Sequence, residues 1–391
     1  MNRNLEALSR IAVKKERRII GLMSGTSLDG LDIAVCTVKG TGFETTACVE
    51  HFETVPYSPA FRDSLLEICF KEQVSLKQLT LLHKNIAGTH SGLVNAFIEK
   101  HHINKDNIDL IASHGQTVYH IPQAADSAAT LQLGDADQIA YNTGIITISD
   151  FRQKNIAAGR EGAPLAVYGD LLLFSEKNNN VLLLNIGGIA NFSFFPAEGK
   201  IICSDIGPGN TLMNGWMKTN FQGKDHDEDA TLALKGEIND SLLAELNRHP
   251  FFKSPFPKTT GPELFNMEML NSAIKKMAEE NLPVEDVMAT LNKFTADQIV
   301  SAINNTTKGV PYKIYITGGG IHNPLLMEHI KKGLQGAAYH CVSEKNIPAD
   351  GKEAVLFALL ANECIAGDPS VFSGLAANMP ALCMGKISFP Y

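Results

Sequence analysis

The segment Met23-Ser24-Gly25-Thr26-Ser27-Leu28-Asp29-Gly30 concentrates groups suited to holding an anion. Gly25 and Gly30 let the backbone fold back so that successive N–H groups face one point, and Thr26 and Ser27 add hydroxyl donors. Asp29 or Asp32 is then placed to hold a magnesium water. A plain hairpin with a polar turn would need fewer such groups. A second segment, Ser204-Asp205-Ile206-Gly207-Pro208-Gly209-Asn210, sets a carboxylate at a strand end ahead of two glycines and a helix-like run. There Asp205 is held rigidly, and the helix N-terminus behind it is available to phosphate. The plainer role for Asp205 is a cap on the following turn. A third segment, ITGGGIHN at 316–323, ends a strand in Gly318, Gly319 and Gly320. Bare backbone there suits a flat ligand such as adenosine, and by itself it also suits a flexible turn.

Other chemistries fail on spacing. The Walker pattern G-x-x-x-x-G-K-[ST] is absent, as is G-x-G-x-x-G after a strand. Asp225, Asp227 and Asp229 imitate the start of a calcium loop, yet Ala230 stands where the sharp turn needs Gly and Gly236 where a bidentate Glu is needed. His114 and His120 are six apart with no third ligand, which points to hydrogen-bonded structural groups.

The elements that must carry these loops repeat. Residues 18–38 and 181–195 share a strand–turn–strand grammar, apolar runs bounded by Gly and Asp. After helical sequence each is followed by one more strand: 108–113 before His114-Gly115-Gln116, and 313–317 before the three glycines. The interval is 90 residues in the first half and 132 in the second, which leaves room for an insertion. Leu79, Leu82, Ile86, Leu93 and Phe97 mark an amphipathic helix weakened at Gly88 and Gly92, and Val287, Leu291, Phe294 and Ile299 mark another. Hairpins mixed with helices predict α/β domains with mixed sheets. The expected division is an N-terminal domain at 1–150 and a C-terminal domain at 151–391 that carries the insertion, with a tail from about 365 to 391 packing back on the first.

Composition narrows the partners. Lys and Arg number 34 against 42 Asp and Glu, a net charge of −8, so no basic face is left for sequence-independent nucleic-acid binding. A polyanion must be held by local N–H groups. With 44% hydrophobic and 19% charged residues, the 391-residue chain is globular with a large core. Seven scattered cysteines without C-x-x-C spacing read as reduced, buried thiols and predict a cytoplasmic protein. Leu5, Leu8, Ile11 and Ala12 place a helix before the first strand in place of a signal peptide, and no stretch approaches the ~18 apolar residues of a membrane span.

The three glycine loops resemble the phosphate-1, phosphate-2 and adenosine motifs of the actin, hexokinase and Hsp70 superfamily. That resemblance implies two duplicated ribonuclease-H-like (actin-like ATPase) domains flanking a central cleft. More closely, MSGTSLDGLD, ASHGQTVYH, LQLGDADQIA, SDFR, NIGGIAN, DIGPGN, KTTGPELFN and ITGGGIHN, in this order from residue 20 onward, resemble the 1,6-anhydro-N-acetylmuramic acid kinase family. The resemblance implies an ATP- and Mg²⁺-dependent kinase of cell-wall recycling that opens the 1,6-anhydro ring with water and phosphorylates O6, giving N-acetylmuramic acid 6-phosphate. By it, Asp205 stands at the general base. Gly25, Thr26, Ser27, Leu28, Asp29, Gly30, Leu31 and Asp32 match the family's ATP segment. The same role falls to Gly187, Gly188, Gly207, Gly209, Asn210, Gly318, Gly319, Gly320 and Asn323. Arg152 matches a substrate-binding arginine whose fork suits the lactyl carboxylate, and Glu353 a glutamate that accepts sugar hydrogen bonds. Their plainer roles are a structural ion pair and an exposed helix-start residue. A homodimer is implied as well.

Some positions depart from the family pattern. Asn155 stands at a usual Asp, Arg160 and Glu161 replace Gly and Gln in GREGAP, Ala230 replaces a Gly, and Pro262 stands where Arg is frequent. They leave two alternatives: a kinase for another anhydro or amino sugar, or a catalytically silent ATP-binding regulator. An intact Asp205 speaks against silence.

Overall fold

In a computed structural model describing residues 2–391 apart from 122–127, 164, 177, 278–280, 346, 349 and 376–379, the first apolar runs form a hairpin. Its strands β1 (Glu16–Ser24) and β2 (Gly30–Lys39) pair antiparallel, with Ile19 opposite Cys36 and Met23 opposite Asp32. β3 (Thr46–Pro56) adds antiparallel to β2, and β4 (Leu110–Ile121) and β6 (Thr147–Ser149) follow β1 in parallel. Strand β5 (Ala129–Leu133) pairs with the distal half of β4, and the last strand of the chain, Lys386–Ser388, closes on β6.

One face of this sheet is covered by the helix Leu76–Lys100, whose Leu82, Ile86, Val94 and Phe97 pack with Ile20, Leu22, Ile33 and Val35. Gly88 and Gly92 do not break the helix. On the opposite face the helix Lys352–Ala366 lies on β1 so closely that a Cβ on Gly21 would stand 1.9 Å from the Ala354 carbonyl oxygen. Only a residue without a side chain admits that approach.

The second half repeats the plan. β7 (Val181–Ile186), β8 (Ile189–Phe195) and β9 (Ile202–Pro208) form an antiparallel meander, and β10 (Tyr312–Thr317) and β11 (Ala337–His340) extend it in parallel. The orders β3-β2-β1-β4-β6 and β9-β8-β7-β10-β11 match strand for strand and sense for sense. A ribonuclease-H-like sheet has therefore been built twice. The helix Val284–Thr307 covers the second sheet with Val287, Leu291, Phe294 and Ile299.

Four expectations shift. The chain divides into Met1–Ser175 with Ser343–Tyr391, and Glu176–Val342, so the boundary falls after 175 rather than near 150. All of 343–391 returns to the first unit, not only the tail from about 365. The cause is burial: the helices Ala166–Phe174 and Lys352–Ala366 are apolar on nearly every side and pack on each other, with Leu356 against Gly169. His114-Gly115-Gln116 is not a turn that ends a strand. β4 runs through it to Ile121 with a kink at Gly115 (φ 75), because β5 supplies a partner for the extension. The seven cysteines form no disulfide, and only Cys36 and Cys69 are buried. Among the described residues no helix is long and apolar enough to cross a membrane.

Candidate active site

In the first unit the β1–β2 turn is shaped differently from the expectation. Its left-handed residue is Leu28 (φ 56), tied by its N–H to the Gly25 carbonyl at 3.3 Å and anchored by a side chain only 2% exposed. Gly30 serves close packing: a Cβ there would meet the Val55 carbonyl oxygen at 2.7 Å. Ser27 Oγ donates to Asp29 Oδ1 at 2.7 Å, and Thr54 Oγ1 donates to Asp32 Oδ1 at 2.6 Å. Burial, followed by repulsion from Asp29 and Asp350, holds the Asp32 carboxyl above the usual range.

Beneath the turn runs a directed chain of buried groups. Gln116 Nε2 donates to the Gly25 carbonyl at 3.3 Å, so its Oε1 accepts from Ser24. The Ser24 oxygen then accepts from the Tyr57 hydroxyl at 2.7 Å, which accepts from His90 Nε2 at 2.9 Å. Burial pushes the His90 imidazole down to about 4, keeping it neutral.

Arg152 follows β6 and the left-handed Asp150 (φ 57), which pairs with Lys386 of the last strand. Its Nε donates to His114 Nε2 at 2.9 Å and its Nη1 to the Gly162 carbonyl at 2.7 Å. Asn155, buried, accepts from the Gly162 N–H at 2.8 Å and hydrogen-bonds the Tyr168 hydroxyl, so an amide at this position serves an acceptor and a donor role together. Arg160, Glu161 and Pro262 are exposed, and Pro164 of the GREGAP segment lies outside the described residues. Glu353 sits in the first turn of the helix that presses on Gly21. Its carboxyl, reachable by solvent yet ringed by protein, is held above the usual range by desolvation and then by Asp32, against Arg152 and Lys352.

In the second unit the predicted nucleotide residues converge. Gly209 and Asn210 donate their N–H groups to the carbonyls of Gly188 and Gly187, both at 2.8 Å. Asn210 Nδ2 reaches the Ile186 carbonyl at 3.3 Å, against which Gly318 (φ 86) also packs. Asn323 caps the helix Pro324–Gly333 through the Leu326 N–H at 2.9 Å and accepts from Asn292 at 3.0 Å. Three glycine turns thus meet at the C-terminal ends of β7, β9 and β10, the end where α/β sheets bind ligands. The helix Thr211–Asn220 starts there.

Asp205 lies inside β9, three residues before its end, because pairing with β8 continues to Ile189 opposite Pro208. The sequence pattern puts it at the strand's end and carries no side-chain sign of what holds it. Residues 258–260 run beside β9: the Lys258 carbonyl accepts from the Asp205 N–H at 3.0 Å, and the Thr260 N–H donates to Asp205 Oδ2 at 2.8 Å. The only sequence signal was the KTTGPELFN motif, since a backbone donor leaves no side-chain trace. Lys258 pins the segment, its Nζ donating to the Phe251 carbonyl at 2.9 Å and standing 4.3 and 5.0 Å from the Phe251 and Phe256 ring centres. Among the described residues Asp205 Oδ1 has no protein partner. Burial raises the Asp205 carboxyl above the usual range, and the Thr260 N–H opposes it.

The DHDED segment is structural: the Asp227 carboxylate caps the N–H groups of Leu232 and Ala233 at 2.8 and 2.9 Å. Ala230, buried, takes a left-handed φ of 57, a conformation that favours Gly. Among the described residues no three metal-ligating side chains cluster.

A twice-built ribonuclease-H-like sheet with glycine turns at its strand ends is the fold of the actin-like ATPase class. The family model for anhydro-N-acetylmuramic acid kinase matches residues 17–389, and the chain belongs to that family. The anhydro-N-acetylmuramic acid kinase of Pseudoalteromonas atlantica is 48% identical over the full length of both chains. That of Caldanaerobacter subterraneus subsp. tengcongensis is 36% identical over 98% of this chain and all of its own. Among solved structures, a glucokinase from an Antarctic psychrotroph covers 88% of this chain and 99% of its own at 13% identity and a TM-score of 0.38. The strand order, not that loose superposition, defines the fold.

Proposed function

We propose that the chain uses ATP to phosphorylate O6 of 1,6-anhydro-N-acetylmuramic acid while water opens the anhydro ring, with Asp205 as general base. The observation that carries this reading is the asymmetry of Asp205: one oxygen held by the Thr260 N–H, the other without a protein partner among the described residues, in surroundings that raise its pKa. Water attacks C1 and gives its proton to Asp205 as the C1–O6 bond breaks. The freed O6 attacks the γ-phosphorus, and ADP leaves. The nucleotide's phosphates rest on the turns at Gly187, Gly209 and Asn210, and the Gly25–Asp32 turn matches the family's ATP segment. Its adenosine lies on Gly318–Gly320.

Arg152 takes the lactyl carboxylate, and Glu353 accepts hydrogen bonds from the sugar. Asp29 adds negative charge near Asp32, whose carboxyl is held above the usual range first by burial. Asp29 or Asp32 would hold a water of Mg²⁺, which screens phosphate charge when bound. Cysteines without disulfides suit a cytoplasmic site of action. A homodimer belongs to the same reading, on the strength of the family resemblance.

A second reading, a kinase for a related anhydro sugar, draws support from Arg160 and Glu161, exposed on the loop whose Gly162 carbonyl holds Arg152. Mass spectrometry after incubation with ATP, Mg²⁺ and the sugar decides. The expected product has gained one water and one phosphoryl group, with oxygen-18 from labelled water on C1. Turnover of a different anhydro sugar alone would favour the second reading, and ATP binding without turnover of either would sink both.

A further inference from the structure

The Arg152 guanidinium is bonded on two sides by the protein itself, and the chemistry of those bonds dictates the state of a neighbouring histidine. An arginine nitrogen can only donate, so His114 Nε2, 2.9 Å from Arg152 Nε, carries a lone pair. His114 Nδ1 lies 3.0 Å from the Gly115 carbonyl, which can only accept, so Nδ1 carries the proton. Both contacts demand one neutral tautomer, and a proton on Nε2 would set two donors face to face. The ring is 3% exposed and packs against Phe357 with centres 4.6 Å apart and planes tilted by 33°. Burial, with the Arg152 charge second, pushes it down to about 3, so it stays neutral in the working range. The opposite support, Gly162, is itself tied through its N–H to Asn155. Both N–H groups of Arg152 Nη2 remain without a protein partner among the described residues.

We infer that His114 is a positioning residue for substrate recognition: as an obligate acceptor it turns the Arg152 guanidinium so that the Nη2 edge faces the carboxylate of the sugar. The inference rests on the reading of Arg152 given under the proposed function. In His114→Leu the KM for 1,6-anhydro-N-acetylmuramic acid rises about ten- to a hundredfold, the loss expected for a hydrogen bond to a charged group, while kcat and the KM for ATP hold. His114→Gln, whose Oε1 lies as many bonds from Cβ as Nε2 does, recovers most of the loss. Arg152→Met raises the sugar KM at least as far.

If Arg152→Met raises it and His114→Leu does not, the inference is overturned and the Arg152 reading stands. If neither raises it, the Arg152 reading fails first. If Gln is as damaging as Leu, His114 acts through packing and the inference is overturned. Should His114→Leu not fold, nitrogen-15 NMR of the wild-type imidazole decides. The Nδ1–H tautomer, unchanged between about pH 5 and 8, is expected. An Nε2–H form or a titration in that range overturns it.

Discussion

The two units share a strand order and set their carboxylates on different strands of it. In the first, Asp32 lies on β2, the middle of the meander, and takes a hydroxyl from Thr54 of β3. In the second, Asp205 lies on β9, the outer strand, and takes a backbone N–H from Thr260, 55 residues further along. β3 ends its sheet with side chains alternating toward solvent, while β9 is lined by residues 258–260 of the longer crossover. Asp32 is raised by burial and then by two neighbouring carboxylates. Asp205 is raised by burial alone, against one N–H. Crowded negative charge attracts a cation, and an isolated, half-desolvated carboxylate accepts a proton. A duplicated scaffold has been differentiated by chain added along one edge.

The contrast is most sharply broken at the two carboxylates. Asp205→Asn is expected to lower kcat by ~10²–10⁴-fold with the KM for ATP unchanged. Asp32→Asn raises the Mg²⁺ concentration needed for half-maximal rate by about tenfold and regains turnover at saturating Mg²⁺. If excess Mg²⁺ fails to separate the two variants in steady-state assays, the division of labour collapses.

Thr260→Pro removes the donor to Asp205 and should cost about tenfold in kcat, whereas Thr260→Ala, which keeps the N–H, changes little. The proposed base works ionised, so activity is expected to fall as pH drops through its pKa. Because that pKa is raised in the wild type, the acid limb of kcat lies above the ordinary carboxylate value of about 3.9. Removing the Thr260 N–H raises it further, and the limb of Thr260→Pro moves to higher pH. A limb that stays put would show that Thr260 does not bear on the base.

The smallest expected effect is at Lys258→Met, which loses an ammonium among phenylalanine rings. Stability should fall by about 0.5–1 kcal/mol in denaturant melts, with kcat reduced only where the 258–260 segment loosens. A variant as stable as the wild type would mean that the aromatic cluster holds the segment without the cation.

Much of the scaffold was legible because it is local. Apolar runs broken by Gly and Asp identify β1–β2 and β7–β8, and apolar spacing identifies the helices Leu76–Lys100 and Val284–Thr307. The glycine clusters mark the turns that meet at Gly187, Gly209 and Gly318. Other features escaped because their causes are remote. β4 continues through His114-Gly115-Gln116 only because β5 arrives to pair with it, and Leu28 takes a left-handed turn only because the core receives its side chain.

By itself, the chain's pattern of apolar and turn-forming residues determined two copies of one sheet, and Asp205 and Arg152 could be picked out by their motifs. The tertiary structure alone decided which oxygen of Asp205 is occupied, which tautomer His114 adopts and where the units divide. Propensity and periodicity act within a few residues, whereas a hydrogen bond such as Thr260 to Asp205 or Arg152 to His114 exists only after the intervening chain has closed and excluded water from both partners.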